Sequence, residues 1–286
     1  MRLTIEAWRC AARALCVAAF VLTAAPTAHS APPQKESAAR APAAEPETAS
    51  QAQARAILMN MAEFLGGMPR FRVSLRAGYD AVQPSGQKIE FGENRTVTLS
   101  RPDRLRVEGE RSDGAKTLTV FTGKEIVLVD LARKVYATAA QPGTLDDTVV
   151  YFVRDLGMRL PLAAMLLSRL PAEFQNRVRS VDYVEKTSIY GIASHHLAAR
   201  TDTVDFQVWV ADGDKPLPVR IVLTYKAEAG QPQFWAEFSN WNLAPEIDDV
   251  TFSAQVPDGL QKVAFAAQLP RVSPVAGKAS GKKGAK

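Results

Sequence analysis

From residue 50 onward the apolar positions of the chain follow two spacings in turn, and each change of spacing marks an element. Ile57, Leu58, Met61, Phe64 and Leu65 fall at i, i+1, i+4, i+7 and i+8, the single stripe of a helix over residues 50–65. Gly66-Gly67 is expected to end that helix in a left-handed cap, and Pro69 forbids a restart. The period then drops to two. Phe71, Val73, Leu75, Ala77 and Tyr79 are apolar and most residues between them polar, as in a strand with one buried face. Further strands are predicted over residues 89–99, 105–110, 116–121, 125–129 and 134–138. They are broken by Arg101-Pro102-Asp103, Ser112-Asp113-Gly114, Thr122-Gly123 and the stretch 130–133, breaks short enough for an antiparallel meander.

Helical spacing returns in the middle of the chain. Thr144 and Asp147 read as a capping box, and Val149, Phe152, Val153 and Leu156 follow at i, i+3, i+4 and i+7. Gly157 is expected to stop this helix. Pro161 is expected to start a second one through Ala163, Met165, Leu166 and Leu167, which Pro171 closes. Strands resume over residues 178–186, 193–200, 205–211, 218–226, 233–241 and 251–256. The order predicts an α+β, mostly β fold: a large curved antiparallel sheet of about 11–12 strands with helices packed on one face. No Pro/Gly/Ser-rich break or repeat interrupts residues 50–268, so these form one domain.

The two ends read differently. Arg2, Arg9 and Arg13 precede an uncharged apolar run over residues 14–25, and Ala28-His29-Ser30 offers small residues at the cleavage positions. Residues 1–30 are therefore expected to be a secretory signal peptide, with a run too short to span a bilayer. Both cysteines, Cys10 and Cys16, lie inside it, so the exported chain is expected to have no disulfide, thiol or cysteine metal site. Residues 31–49 are rich in Ala, Pro and Glu and are expected to be a disordered linker; residues 269–286 are expected to be a disordered basic tail. The formal charge of +5 resides in these ends, because Arg271, Lys278, Lys282, Lys283 and Lys286 sit in the tail. The body between them carries a slight negative balance, which argues against a nucleic-acid partner.

Candidate chemistry is sparse. Beyond the signal the histidines are His195 and His196, adjacent in a predicted strand and so directed to opposite faces. One metal ion cannot readily take both. A hydrolytic site with Ser194 or Ser188 and Asp202 or Asp205 is formally available, but no Gly-x-Ser-x-Gly elbow is present. No phosphate loop or dinucleotide fingerprint appears, so no cofactor is expected. The aromatic residues say more. Trp209, Trp235 and Trp241 cluster in the last third with Phe206, Tyr225, Phe234, Phe238 and Phe252. Alternation places Phe234, Ala236 and Phe238 on one face and Trp235 and Trp241 on the other. Such a strand packs on both sides or lines a cavity.

Several strand signatures carry a resemblance. They include Ser100-Arg101-Pro102-Asp103-Arg104-Leu105-Arg106-Val107-Glu108, Lys134-Val135-Tyr136-Ala137, Asp205-Phe206-Gln207-Val208-Trp209-Val210, Pro216-Leu217-Pro218-Val219-Arg220-Ile221-Val222 and Phe252-Ser253-Ala254-Gln255-Val256-Pro257. With them, residues 57–265 resemble a group of predicted periplasmic proteins of unknown function and, more remotely, the lipoprotein carriers of LolA and LolB type. The resemblance implies an unclosed β-barrel whose apolar concave face is lidded by helices. It implies a periplasmic binding protein, not an enzyme, that holds a lipid or an acylated protein as carrier or sensor, with transient contact to the inner or outer membrane. The lining expected on this reading is Val149, Phe152, Val153, Leu156, Met165 and Leu166 from the lid, and Phe71, Val73, Leu75, Phe234 and Phe238 from the sheet. A protein-interaction module in envelope stress signalling and an esterase-type hydrolase using His195 or His196 are the competing functions.

Overall fold

A computed structural model describes residues 47–265, apart from 157, 159 and 249. The signal peptide, most of the linker, the basic tail and the helix stop at Gly157 lie outside the described residues. Helix α1 (Ala49–Gly67) begins one residue before the expected start. Thr48 caps it, accepting from the Gln51 backbone while the Gln51 side chain accepts from the Thr48 backbone. Leu58, Met61 and Leu65 are fully buried along its inner stripe.

The strands are β1 (Arg70–Val82), β2 (Lys88–Ser100), β3 (Arg104–Arg111), β4 (Lys116–Phe121), β5 (Glu125–Asp130) and β6 (Val135–Ala140). After the lid come β7 (Ser180–Ile189), β8 (Ile192–Arg200), β9 (Asp205–Ala211), β10 (Pro218–Thr224), β11 (Gln233–Asn242) and β12 (Gln261–Lys262). All belong to one unclosed, curved 12-stranded sheet, ordered β12-β6-β5-β4-β3-β2-β1-β11-β10-β9-β8-β7. Two meanders are therefore joined at their middle by the antiparallel pair β1–β11, where Leu75 faces Phe238 and Ala77 faces Ala236. This long-range pairing brings the aromatic last third against the first strand.

Between β6 and β7 run α2 (Leu145–Val150), a π-helical turn (Tyr151–Asp155), a 3-10 turn (Ala163–Leu166) and α3 (Leu170–Arg177). With α1 they cover the concave face, where the core forms from Leu58, Leu65, Leu145, Val149, Phe152 and the inward rows of the sheet.

Four expectations need correction. Gly66 and Gly67 both lie inside α1, and neither takes a positive φ. Gly66 is needed for space: a Cβ there would stand 2.6 Å from the Ser168 carbonyl oxygen. The second insertion helix shrinks to the 3-10 turn, and Pro171 opens α3 instead of closing a helix. Proline in the first turn has no N–H to waste there. The strand over 251–256 does not form; Phe252 is buried in an irregular segment, and the last strand among the described residues is the two-residue β12, parallel to β6. Finally, Trp241 does not share a face with Trp235. Asn240 takes φ 54° and the β1–β11 register slips between Ser74–Ser239 and Arg72–Asn242. This irregularity reverses the alternation and turns Trp241 inward, onto Phe71 and Phe238 at 5.4 and 5.9 Å.

Candidate functional site

Beneath the lid lies an apolar space of about 50 Å³. Phe71, Val73, Leu75, Phe234 and Phe238 line it from the sheet, with Trp241 beside them; Met165 and Leu166 line it from the lid. Val149, Phe152 and Leu156 are buried in the same core but do not line this space. Val153 departs from the expected stripe and is 42% exposed. The cause is the π turn, in which the Leu156 N–H donates to the Tyr151 carbonyl at 3.0 Å, five residues back. A wider turn rotates the helix face, so Leu156 points inward and Val153 outward.

Residues 160 and 162 were not foreseen. Leu160, Pro161 and Leu162 also line the space from the lid. Leu162 holds φ 65°, a left-handed conformation that costs a leucine on the order of 1–3 kcal/mol. No local pattern marks it, because the three residues follow neither spacing.

A polar clamp fastens this lid. The Arg101 guanidinium donates from Nε to the Met68 carbonyl at the end of α1 (3.1 Å) and from Nη1 to the Leu166 carbonyl (2.9 Å). Asp146, 3.7 Å from Nη1, accepts from the backbone and hydroxyl of Ser168 at 2.9 and 2.8 Å. Burial pushes the Arg101 pKa below its ordinary value and Asp146 pulls it back up. An arginine stays charged under such a shift. One side chain thus ties α1, α2 and the lid's 3-10 turn. The sequence showed Arg101 only as part of a turn.

The convex face is polar. Trp235 donates to Glu90 at 3.2 Å and lies across Gly78, where a Cβ would meet its ring within 3 Å. Arg220 sits over both Trp235 and Trp209, and His196 stacks on Trp209 at 4.0 Å. Glu237 accepts from Arg76, Arg220 and Tyr190. An open groove of about 390 Å³ also lies on this side, with Arg72, Arg106 and Glu108 from the sheet and Asp248, Thr251 and Ser253 from the segment after β11 in its lining. Leu118 and Val250 make that lining mixed, not purely polar.

Among the described hydrogen bonds, neither histidine pairs with a serine. His195 Nδ1 meets the Tyr183 hydroxyl and Nε2 meets Asp212, both at 3.1 Å. His196 Nε2 lies 3.0 Å from Gln207. Ser194 is fully buried and donates to the Ile192 carbonyl. Asp202 and Asp205 pair with Arg179 and Lys226.

Comparison with known proteins follows the fold. LprF from Mycobacterium bovis is 14% identical, with a TM-score of 0.44 over 73% of this chain and 98% of that one. A LolA superfamily protein from Nitrosomonas europaea is 12% identical, with a TM-score of 0.34 over 70% and 97%. In the MucA/MucB complex of Pseudomonas aeruginosa the matched chain is 16% identical, with a TM-score of 0.38 over 71% and 61%. No curated protein sequence matches significantly. The family model that matches residues 54–266 covers the whole sheet with its lid, and by it the chain belongs to the family described as predicted periplasmic protein (DUF2092).

Proposed function

We propose that the protein is a carrier or sensor in the periplasm that takes up a lipid, or the acyl chains of a lipid-modified protein, on the concave face beneath its lid. The observation that carries this reading is the wall of Phe71, Val73, Leu75, Phe234, Phe238 and Trp241 under a lid of short, irregular turns. Ligand pockets for small molecules span about 300–1,000 Å³. The space of about 50 Å³ is far smaller, so uptake requires the lid to move. Acyl chains would then replace lid side chains against the sheet, apolar surface for apolar surface, at little net cost in hydration. Release follows when a membrane or a partner offers those chains equal burial.

Native mass spectrometry of the protein purified from periplasm, with lipid extraction alongside, tests the reading. A co-purifying lipid or acylated peptide is the expected result. A chain of bare mass that takes up no lipid from detergent micelles would refute it. A co-purifying polypeptide without acyl groups would favour the protein-interaction function.

A further inference from the structure

The apolar lining is interrupted by an ion pair. Arg95 and Glu93 stand two residues apart on β2 and hence on the same face. Arg95 Nη2 lies 2.6 Å from Glu93 Oε1, and the side chains are only 21% and 10% exposed. Arg95 reaches the lidded space beside Leu75 and Val97. Its cross-strand neighbour on β3 is Gly109, and the space a side chain there would take holds the Thr117 hydroxyl instead. Glu93 lies one step further toward the β1–β2 turn, opposite Ala77 on β1 and Arg111 on β3, whose guanidinium donates to Asp113. Beyond it Phe91 stacks on Tyr79 at 5.9 Å and is 42% exposed. The pair therefore marks the border between the dry space and an open aromatic rim.

Such a pair is a poor stabilising device, because well-packed apolar residues in its place often hold a fold as well or better. In apolar pockets a few placed polar groups instead fix the orientation and identity of a ligand. The chemistry of that ligand follows from the charges. A lone anion would draw Arg95 away and leave Glu93 with no cation but Arg111 opposite, whose guanidinium is already held by Asp113. A lone cation would likewise draw Glu93 away from Arg95. Either outcome is strongly unfavourable. A headgroup that carries both charges opens the pair and satisfies each half.

We infer that Arg95 and Glu93 read the headgroup of the bound lipid, and that this headgroup is a zwitterion of phosphate and primary ammonium, as in a phosphatidylethanolamine. The phosphate accepts from Arg95, the ammonium donates to Glu93, and the acyl chains run under the lid past Leu75 and Phe238. This rests on the concave face being the lipid site proposed above.

The test equilibrates the full exported chain with mixed micelles of phosphatidylethanolamine and phosphatidylglycerol in equal amounts. The protein is repurified and its bound lipids are quantified by mass spectrometry. The wild type is expected to favour the zwitterion by roughly tenfold. Glu93→Gln, which leaves Arg95 unpaired, is expected to turn the preference toward the anionic lipid. The double variant Glu93→Arg/Arg95→Glu restores both charges and is expected to restore the zwitterion. Bound lipid in the supplied ratio in the wild type overturns the inference and leaves the carrier reading standing, whether or not the variants fold. An unchanged ratio in a folded Glu93→Gln overturns it equally. No bound lipid of either kind overturns both.

Discussion

Phe152 offers a direct test of whether the lid is a gate. The residue lies in the π turn, is 7% exposed and belongs to the central core. Fully burying a phenylalanine side chain is worth roughly 1.5–3 kcal/mol. Phe152→Ala removes that burial. If the lid opens while the sheet stays folded, the loss falls on the opening equilibrium alone. A tenfold change corresponds to about 1.4 kcal/mol, so the opening constant should rise about ten- to hundredfold. Native-state hydrogen exchange reads this directly. The Tyr151 amide, bonded to Asp147 and Thr148, and the Leu156 amide, bonded to Tyr151, report on the lid. Amides of β1 and β11 report on the sheet. The expected result is faster exchange over residues 145–156 by that factor, with β1 and β11 unchanged. Equal acceleration in lid and sheet would mean that the lid opens only when the whole domain unfolds. That result would refute the gating mechanism, even if lipid still bound.

Other outcomes follow from the same geometry. Arg101→Leu leaves Asp146, at 14% side-chain exposure, without its cation and the Met68 and Leu166 carbonyls without a donor; destabilisation of about 2–4 kcal/mol in urea unfolding is expected. Gly66→Ala forces a Cβ to within 2.6 Å of the Ser168 carbonyl, an overpacking that should cost about 1–3 kcal/mol and lower the thermal midpoint. Thr48→Ala removes the cap of α1 and should cost about 1 kcal/mol by the same measurement. Acid should loosen the start of α2. Hydrogen bonds from the Thr144 side chain and backbone hold the Asp147 carboxyl below its ordinary value of 3.8. A depressed carboxyl stabilises the fold above its unfolded value, and that contribution is lost as pH falls through the folded one. Protection factors at residues 144–148 should therefore fall below about pH 4 in the wild type and be insensitive to that step in Asp147→Asn.

Local pattern alone determined most of the elements. The stripe of Leu58, Met61 and Leu65, the alternation from Phe71 to Tyr79, and the Thr144–Asp147 cap all rest on interactions within a few residues, and each is realised. The two antiparallel meanders on either side of the lid were legible for the same reason: short breaks between strands leave little choice but antiparallel neighbours, whereas the unclosed form of the sheet was implied only by the family resemblance. What only the tertiary structure decided are the places where one residue changes the face. A left-handed Asn240 slips the register and sends Trp241 into the lidded space. A π turn keeps Leu156 buried as expected but turns Val153 out to solvent. Pro171 is compatible with ending one helix or starting the next, and packing of α3 against α1 selects the start. Arg101 and the Arg95–Glu93 pair carry no signature of their own. Spacing assigns a side chain to a face, but its partners come from strands and turns distant in the chain. Their meeting depends on the β1–β11 pairing and on the path of the lid.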